Sequence, residues 1–291
     1  MILLTCFMNR ENQNYWKIEI RPTKHWLDLD LNSLWRYRDL YLMYVKRDII
    51  TQYKQTVLGP LWFIIQPALT MVMYMFIFGG LAGISTDGVP QPLFYLAGIT
   101  LWNYFNASFT ASSDVFASNA SVFGKVYFPR LVVPLSAITS NLIKMLIQLG
   151  LFVIVYVYYA FKGADVSLNW YCLLFPYLVI LLAFHAMASG LIISSLTTKY
   201  RDLKFLISFG IQLFMYATPV IYPMSATDGK IKAILEINPL TPIFEAFKYG
   251  TLGCGSLDWC GLLYSTVFML VMLFFAVVVF TRVERNFMDT V

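Results

Sequence analysis

Apolar and polar positions divide this chain into a polar prelude and six long apolar runs. The runs fall at about 58–81, 93–117, 131–159, 171–196, 205–221 and 260–281. Each approaches or exceeds the roughly 20 apolar residues that a helix needs to cross ~30 Å of hydrocarbon. The pattern predicts an all-α polytopic membrane protein with six transmembrane helices, in a domain covering 58–291 behind an N-terminal segment at 1–57. Pro67 removes a backbone donor inside the first run and predicts a kink there.

Two stretches break the alternation of run and loop. In the prelude, Leu34, Trp35, Leu40, Tyr41, Tyr44, Val45 and Ile49 recur at helical spacing, with Arg36, Lys46 and Arg47 elsewhere on the wheel. So many charges cannot enter hydrocarbon, and the reading is an amphipathic interface helix in the headgroup plane, equally able to pack on a partner protein. Between the fifth and sixth runs, residues 222–259 hold Pro223, Pro239 and Pro242, and their apolar stretches are too short to span. Re-entrant helices fit that segment, because irregular backbone at membrane depth survives only where protein buries it or water reaches it.

Composition fixes the solvent. With 59% apolar and 13% charged residues and a mean hydropathy of +0.66, the chain has too little polar surface for a water-soluble domain. The net charge of +5 is a topology signal and does not mark nucleic-acid binding, since the basic residues lie between runs and not along one groove. Most of them fall in the prelude, at 118–130, at 197–204 and in the tail. Positive segments stay inside, so both termini are expected in the cytoplasm.

Enzyme chemistry finds no constellation. Cys6, Cys172, Cys254 and Cys260 lack metal-ligand spacing and only His25 and His185 could assist them, so no metal is expected. Free thiols are the reading for the cysteines, with a Cys254–Cys260 pair open if their loop meets an oxidising compartment. Phe123-Gly124-Lys125-Val126 contains a Gly-Lys pair, but Asn119 replaces the first glycine of a phosphate-binding loop and Val126 the magnesium-holding Ser or Thr. His185, alone among apolar neighbours, reads as an interhelical hydrogen bond.

Polar residues inside the runs are more telling. Asn103, Asn106, Thr110, Ser113 and Asp114 share one helix face, and Ser140, Asn141, Lys144 and Gln148 form a second stripe. Amides and hydroxyls read first as glue between helices, whereas a membrane-depth ammonium at Lys144 calls for a wet cavity, an acidic partner or an anionic ligand. Trp102, Tyr104, Phe105 and Phe109 suit either an interfacial belt or stacking against sugar rings. Glu245 and Lys248 stand one helical turn apart and form a structural pair. The short aromatic and basic stretch at 121–130 has no lipid-facing purpose and reads as a docking loop for a soluble partner.

The order of segments resembles that of a known family. Arg47-Asp48-Ile49 with Tyr53-Lys54, Leu58-Gly59-Pro60-Leu61-Trp62, Val126-Tyr127-Phe128-Pro129-Arg130, Thr218-Pro219-Val220-Ile221-Tyr222-Pro223 and Asn238-Pro239-Leu240-Thr241-Pro242 carry the resemblance. Together they resemble membrane subunits of bacterial type-2 ABC exporters for O-antigen, capsule and teichoic-acid polysaccharides. The resemblance implies a homodimer in the bacterial inner membrane with six spans per protomer. It also implies two copies of a separate ATPase that binds ATP and magnesium, no cofactor in this chain, and a glycan on an undecaprenyl-pyrophosphate-like lipid. It places ATPase docking on the interface helix and on Phe123, Gly124, Lys125, Tyr127 and Arg130, and re-entrant helices at 222–259. Lys46, Arg47 and Lys54 would attract the lipid head group. Trp102, Tyr104, Phe105, Asn106, Asp114 and Lys144 are the pathway candidates. The rival cargoes are teichoic acid and capsule, and the rival class is a membrane-embedded glycosyl- or acyltransferase. The first 30 or so residues have no counterpart in the matched region.

Overall fold

The computed structural model describes residues 35–54, 56–126, 128–164, 166–200, 202–227 and 229–287, and all its regular structure among them is helical. In chain order the helices are α1 (Arg38–Tyr53), α2 (Trp62–Tyr74), α3 (Gln91–Ser113), α4 (Val115–Phe123) and α5 (Val132–Phe161). They continue as α6 (Phe175–Thr197), α7 (Leu203–Tyr216), α8 (Gly229–Ile237), α9 (Thr241–Leu252) and α10 (Trp259–Phe287). Residues 1–34, with Leu34 and the first basic residues of the prelude, lie outside the described part, as does Tyr127.

Four helical stretches are long and apolar enough to cross a membrane: Gly59–Leu81, Val132–Phe161, Trp170–Thr197 and Trp259–Val283. The other two predicted spans fall short of that description for different reasons. α3 has 23 residues, but most of them are buried by neighbouring helices, so it tolerates Asn103, Asn106, Thr110 and Ser113. α7 is apolar but only 14 residues long, about 21 Å at 1.5 Å per residue.

α3 is the centre of the bundle, packed against α5 and α6, with α10 on the far side of α6. Small residues set the closest crossing. A Cβ on Gly190 of α6 would stand 2.4 Å from the Ser112 Cβ and 2.8 Å from the Phe109 carbonyl oxygen, so the glycine lets α6 meet α3 at backbone distance. Prolines open several elements where no backbone donor is needed: Pro60 in the 3-10 turn before α2, Pro92 in α3, Pro176 in α6 and Pro242 in α9. Gly253, at φ 75°, closes α9 in the left-handed conformation.

The first span is less regular than its sequence predicts. Pro67 sits inside α2 as expected, but the stretch that follows it, Met75–Leu81, winds as a π-helix. The pair Gly79-Gly80 permits this, and Gly79 has the Gln91 side chain pressed against the place where a Cβ would stand. Between α7 and α10 the chain forms a 3-10 turn at Met224–Ala226, then α8 and α9, each far too short to cross a bilayer.

Candidate functional site

At one end of the bundle α1 lies along α5. The Tyr41 hydroxyl meets the Thr139 hydroxyl at 2.6 Å, and Tyr44 and Val45 are buried. Leu40, Tyr41 and Ile49, predicted to share the apolar stripe, are half-buried, so that stripe faces protein. Leu42, Met43 and Ile50 point outward, as does Trp35. Of the three predicted entrance cations, Lys46 and Lys54 are exposed. Arg47 is engaged: its guanidinium lies 4.2 Å from the Tyr44 ring centroid and donates to Asp48 Oδ1 at 2.8 and 3.0 Å.

The stretch at 121–130, proposed from sequence to dock a partner, continues from the same end. Phe123 is buried, with ring centroids 6.3 Å from Phe116 and 5.7 Å from Phe128, and the Arg130 guanidinium stands 5.1 Å from its ring. Phe123 and Arg130, both proposed from sequence as docking contacts, therefore turn inward and pack under the stretch. Exposed at the tip are Gly124 and Lys125, joined by Val126. Phe128 also meets Tyr44 at 6.1 Å, tying the loop to α1.

Inside the bundle the two polar stripes do meet. Asn103 donates to Gln148 at 3.3 Å across α3 and α5, and Thr110 to Asn106 at 3.4 Å within α3. Lys144 donates to Asn141 at 2.6 Å. Asp114 makes an ion pair of 2.9 Å with Lys204 of α7. Trp102, Tyr104 and Phe105 are no more than 5% exposed, and Trp102 and Phe105 pack on each other and on Phe214. The structure thus places these three pathway candidates inside the protomer core. Asn106 and Lys144 remain half-buried at the edge.

Two surfaces escaped the sequence reading. On α7, Phe205, Ser208, Phe209, Gln212 and Tyr216 form one exposed stripe. On α2, Trp62, Gln66, Leu69, Thr70 and Met73 line a shallow groove. The signal was there as Gln66/Thr70 and Ser208/Gln212, polar pairs at i, i+4 inside apolar runs. Periodicity alone does not say which helices end up on the outside.

At the opposite end, α9 grips the connection that follows α7. The Lys248 ammonium, fully enclosed, donates to the carbonyl of Pro219 at 2.5 Å and that of Tyr222 at 3.4 Å. It stands 3.7 Å from Glu245 Oε1 and 4.2 Å from the Phe94 ring centroid. Asn238 donates to the Ala217 carbonyl at 2.7 Å and to the Thr218 hydroxyl at 3.0 Å. The Ser225 hydroxyl is bound by the Asp87 carboxylate of the loop after the first span, at 2.7 and 2.8 Å. The predicted Glu245–Lys248 pair is thus present, and it is structural. Among the described residues no group of three His, Cys, Asp or Glu side chains could hold a metal, and Cys254 and Cys260 are free thiols.

Comparison with known proteins agrees with this arrangement. The model of a family described as ABC-2 type transporter matches residues 39–252. Three curated relatives bear the name O-antigen export system permease protein RfbA. Two come from Klebsiella pneumoniae, 29% and 28% identical over 256 and 255 residues, each spanning 86% of this chain and 94% of the relative. The third, from Myxococcus xanthus, is 26% identical over 221 residues, 75% of this chain and 82% of its own.

Proposed function

The chain belongs to the ABC-2 type transporter family, and from that premise we propose that it is the transmembrane subunit of an exporter moving O-antigen-type polysaccharide across the bacterial inner membrane. Energy comes from a separate ATPase, present in two copies, that docks on the exposed tip Gly124-Lys125-Val126 and on α1. The protomer crosses the membrane six times, α3 and α7 joining the four longer apolar stretches. Residues 222–259 dip into the outer half as re-entrant helices.

The observation that carries the reading is the outward stripe on α7 together with the groove on α2. Thr70 and Ser208 satisfy their hydroxyls on the carbonyls of Gln66 and Phe205 within their own helices, but a helix facing only lipid has no use for the amides of Gln66 and Gln212, since a polar group left in hydrocarbon is costly. A second copy facing these surfaces would enclose them as a conduit. The amides and hydroxyls would bond sugar hydroxyls, and Phe205, Phe209 and Tyr216 would stack on the C–H faces of the rings without reading their order. Lys46 and Lys54 would draw the anionic head group of the carrier lipid to the entrance.

The test is export itself. Co-expressed with its ATPase in cells that build the lipid-linked glycan, the chain should place polymer outside. Gln66→Leu with Gln212→Leu should cut export on the order of tenfold, each lost polar contact contributing roughly 1 kcal/mol, while the complex still assembles. Sugar or acyl transfer by the purified chain without any ATPase would establish the transferase reading instead. Topology has its own check. A C-terminal green fluorescent fusion should fluoresce and a C-terminal alkaline phosphatase fusion should stay inactive, because the basic segments hold that end inside.

A further inference from the structure

We infer that the Asp114–Lys204 ion pair is the mechanical link through which the docking loop moves α7; the inference rests on the exporter reading above. The case starts from where Asp114 sits. α3 ends at Ser113 and α4 begins at Val115, and Asp114 between them leaves helical geometry with φ −97° and ψ 6°. The break is built in, for Ser113 and Ser118 donate to the carbonyls of Thr110 and Asp114 at 2.8 and 2.7 Å. Asp114 is therefore the root of the docking segment, and it reaches Lys204 at the start of α7 with 2.9 Å between the charged atoms.

The two sides of that contact are held very differently. On one side α4 belongs to a rigid body. Phe116 stacks on Phe280 of α10 at 4.7 Å, Phe123 packs on Phe128, and Phe128 packs on Tyr44 of α1. On the other side none of α7 from Leu203 to Tyr216 is fully buried. Ile207 and Ile211 lie half-buried against the core along its length, while its ring and hydroxyl contacts across the bundle, Phe214 against Trp102 and Phe105 and Met215 against the Tyr74 hydroxyl, lie at its far end. Displacement of the loop by a nucleotide-driven partner reaches the near end of α7 through Lys204. α7 carries the stripe assigned above to the polymer, so the pair converts docking-loop motion into motion of a conduit wall. An ion pair this exposed contributes little to static stability. Its removal accordingly separates coupling from folding.

The experiment uses the complete complex of this chain with its ATPase, and reads glycan at the cell surface and ATP hydrolysis by the purified complex in lipid. The amount of assembled complex in the membrane is measured for every variant. Asp114→Asn and Lys204→Met should each lower surface glycan on the order of tenfold, the scale of a lost coupling energy, with ATP hydrolysis within about twofold of the parent. The exchange Asp114→Lys with Lys204→Asp should restore most of the export, and the conservative Asp114→Glu and Lys204→Arg should retain it. Single variants that export like the parent overturn the inference. So does an exchange variant that assembles but exports no better than the singles, which would return Asp114 to a role in contacting the polymer. A parent complex that hydrolyses ATP and exports no glycan overturns the exporter reading itself, a result told apart from the others before any variant is made.

Discussion

Lys248→Met is expected to leave little assembled protein in the membrane, while Glu245→Gln is tolerated far better. The two residues face each other at 3.7 Å with side chains only 1% and 5% exposed, so the pair has been taken almost completely out of water. Removing one partner of a buried ion pair costs about 3–5 kcal/mol, because the remaining charge has nothing to replace its lost hydration. The penalty is not symmetric here. Without Glu245, Lys248 keeps the carbonyls of Pro219 and Tyr222 and the face of Phe94, all of which favour a cation. Without Lys248, Glu245 loses its ion-pair partner, and the Pro219 carbonyl loses a donor. The double variant Glu245→Gln with Lys248→Met should recover a substantial part of the loss, since a pair of neutral side chains leaves no buried charge. Thermal unfolding midpoints in detergent, with membrane yield alongside, give the order: parent, Glu245→Gln, double variant, Lys248→Met. Equal midpoints for the two single variants would remove Lys248 as the organiser of the 217–223 connection.

That connection shows how far the sequence carried and where it stopped. Helix boundaries were legible because hydrocarbon imposes a length: the run assigned to 131–159 is a helix at Val132–Phe161, and that assigned to 171–196 is helical over Trp170–Thr197. The pairing of Glu245 with Lys248 was legible because i, i+3 spacing is local. What the pair holds was not, since Pro219 lies 29 positions away and reaches Lys248 only through the tertiary fold. The aromatic cluster illustrates the same limit. Trp102, Tyr104 and Phe105 look alike whether they face a polymer, a lipid or a neighbouring helix, and only the arrival of Phe214 from α7 puts two of them in the core. For Phe123 and Arg130, too, the motif could not say which side chains of the 121–130 stretch point in. The surfaces on α2 and α7 were hidden for a complementary reason. Most positions of every span are apolar, so burial by protein and exposure to lipid leave nearly the same signature.

Gly98→Val is expected to prevent α3 from docking against the same connection, with Gly98→Ala intermediate. A Cβ added at Gly98 would stand 2.4 Å from the Val220 carbonyl oxygen and 3.1 and 3.2 Å from the carbonyl carbon and Cα of that residue. All three are backbone atoms, so no rotamer change relieves the clash. Nor can the backbone step aside, because Asn238 holds Ala217 and Thr218 while Lys248 holds Pro219 and Tyr222. Alanine in mid-helix would otherwise gain about 1 kcal/mol over glycine. Overpacking of a well-filled core costs about 1–3 kcal/mol and sometimes more, which exceeds that gain. Valine adds two further carbons at a place already too small for one. Gly150 of α5 supplies the control, since a Cβ there meets nothing within 4 Å and only the helical preference should be felt. Unfolding midpoints should therefore fall in the order Gly150→Ala at or above the parent, then Gly98→Ala, then Gly98→Val. A Gly98→Val protein as stable as the parent would mean that α3 and the 217–223 connection do not approach at backbone distance. The grip of Lys248 on that connection would then have to be reconsidered with it.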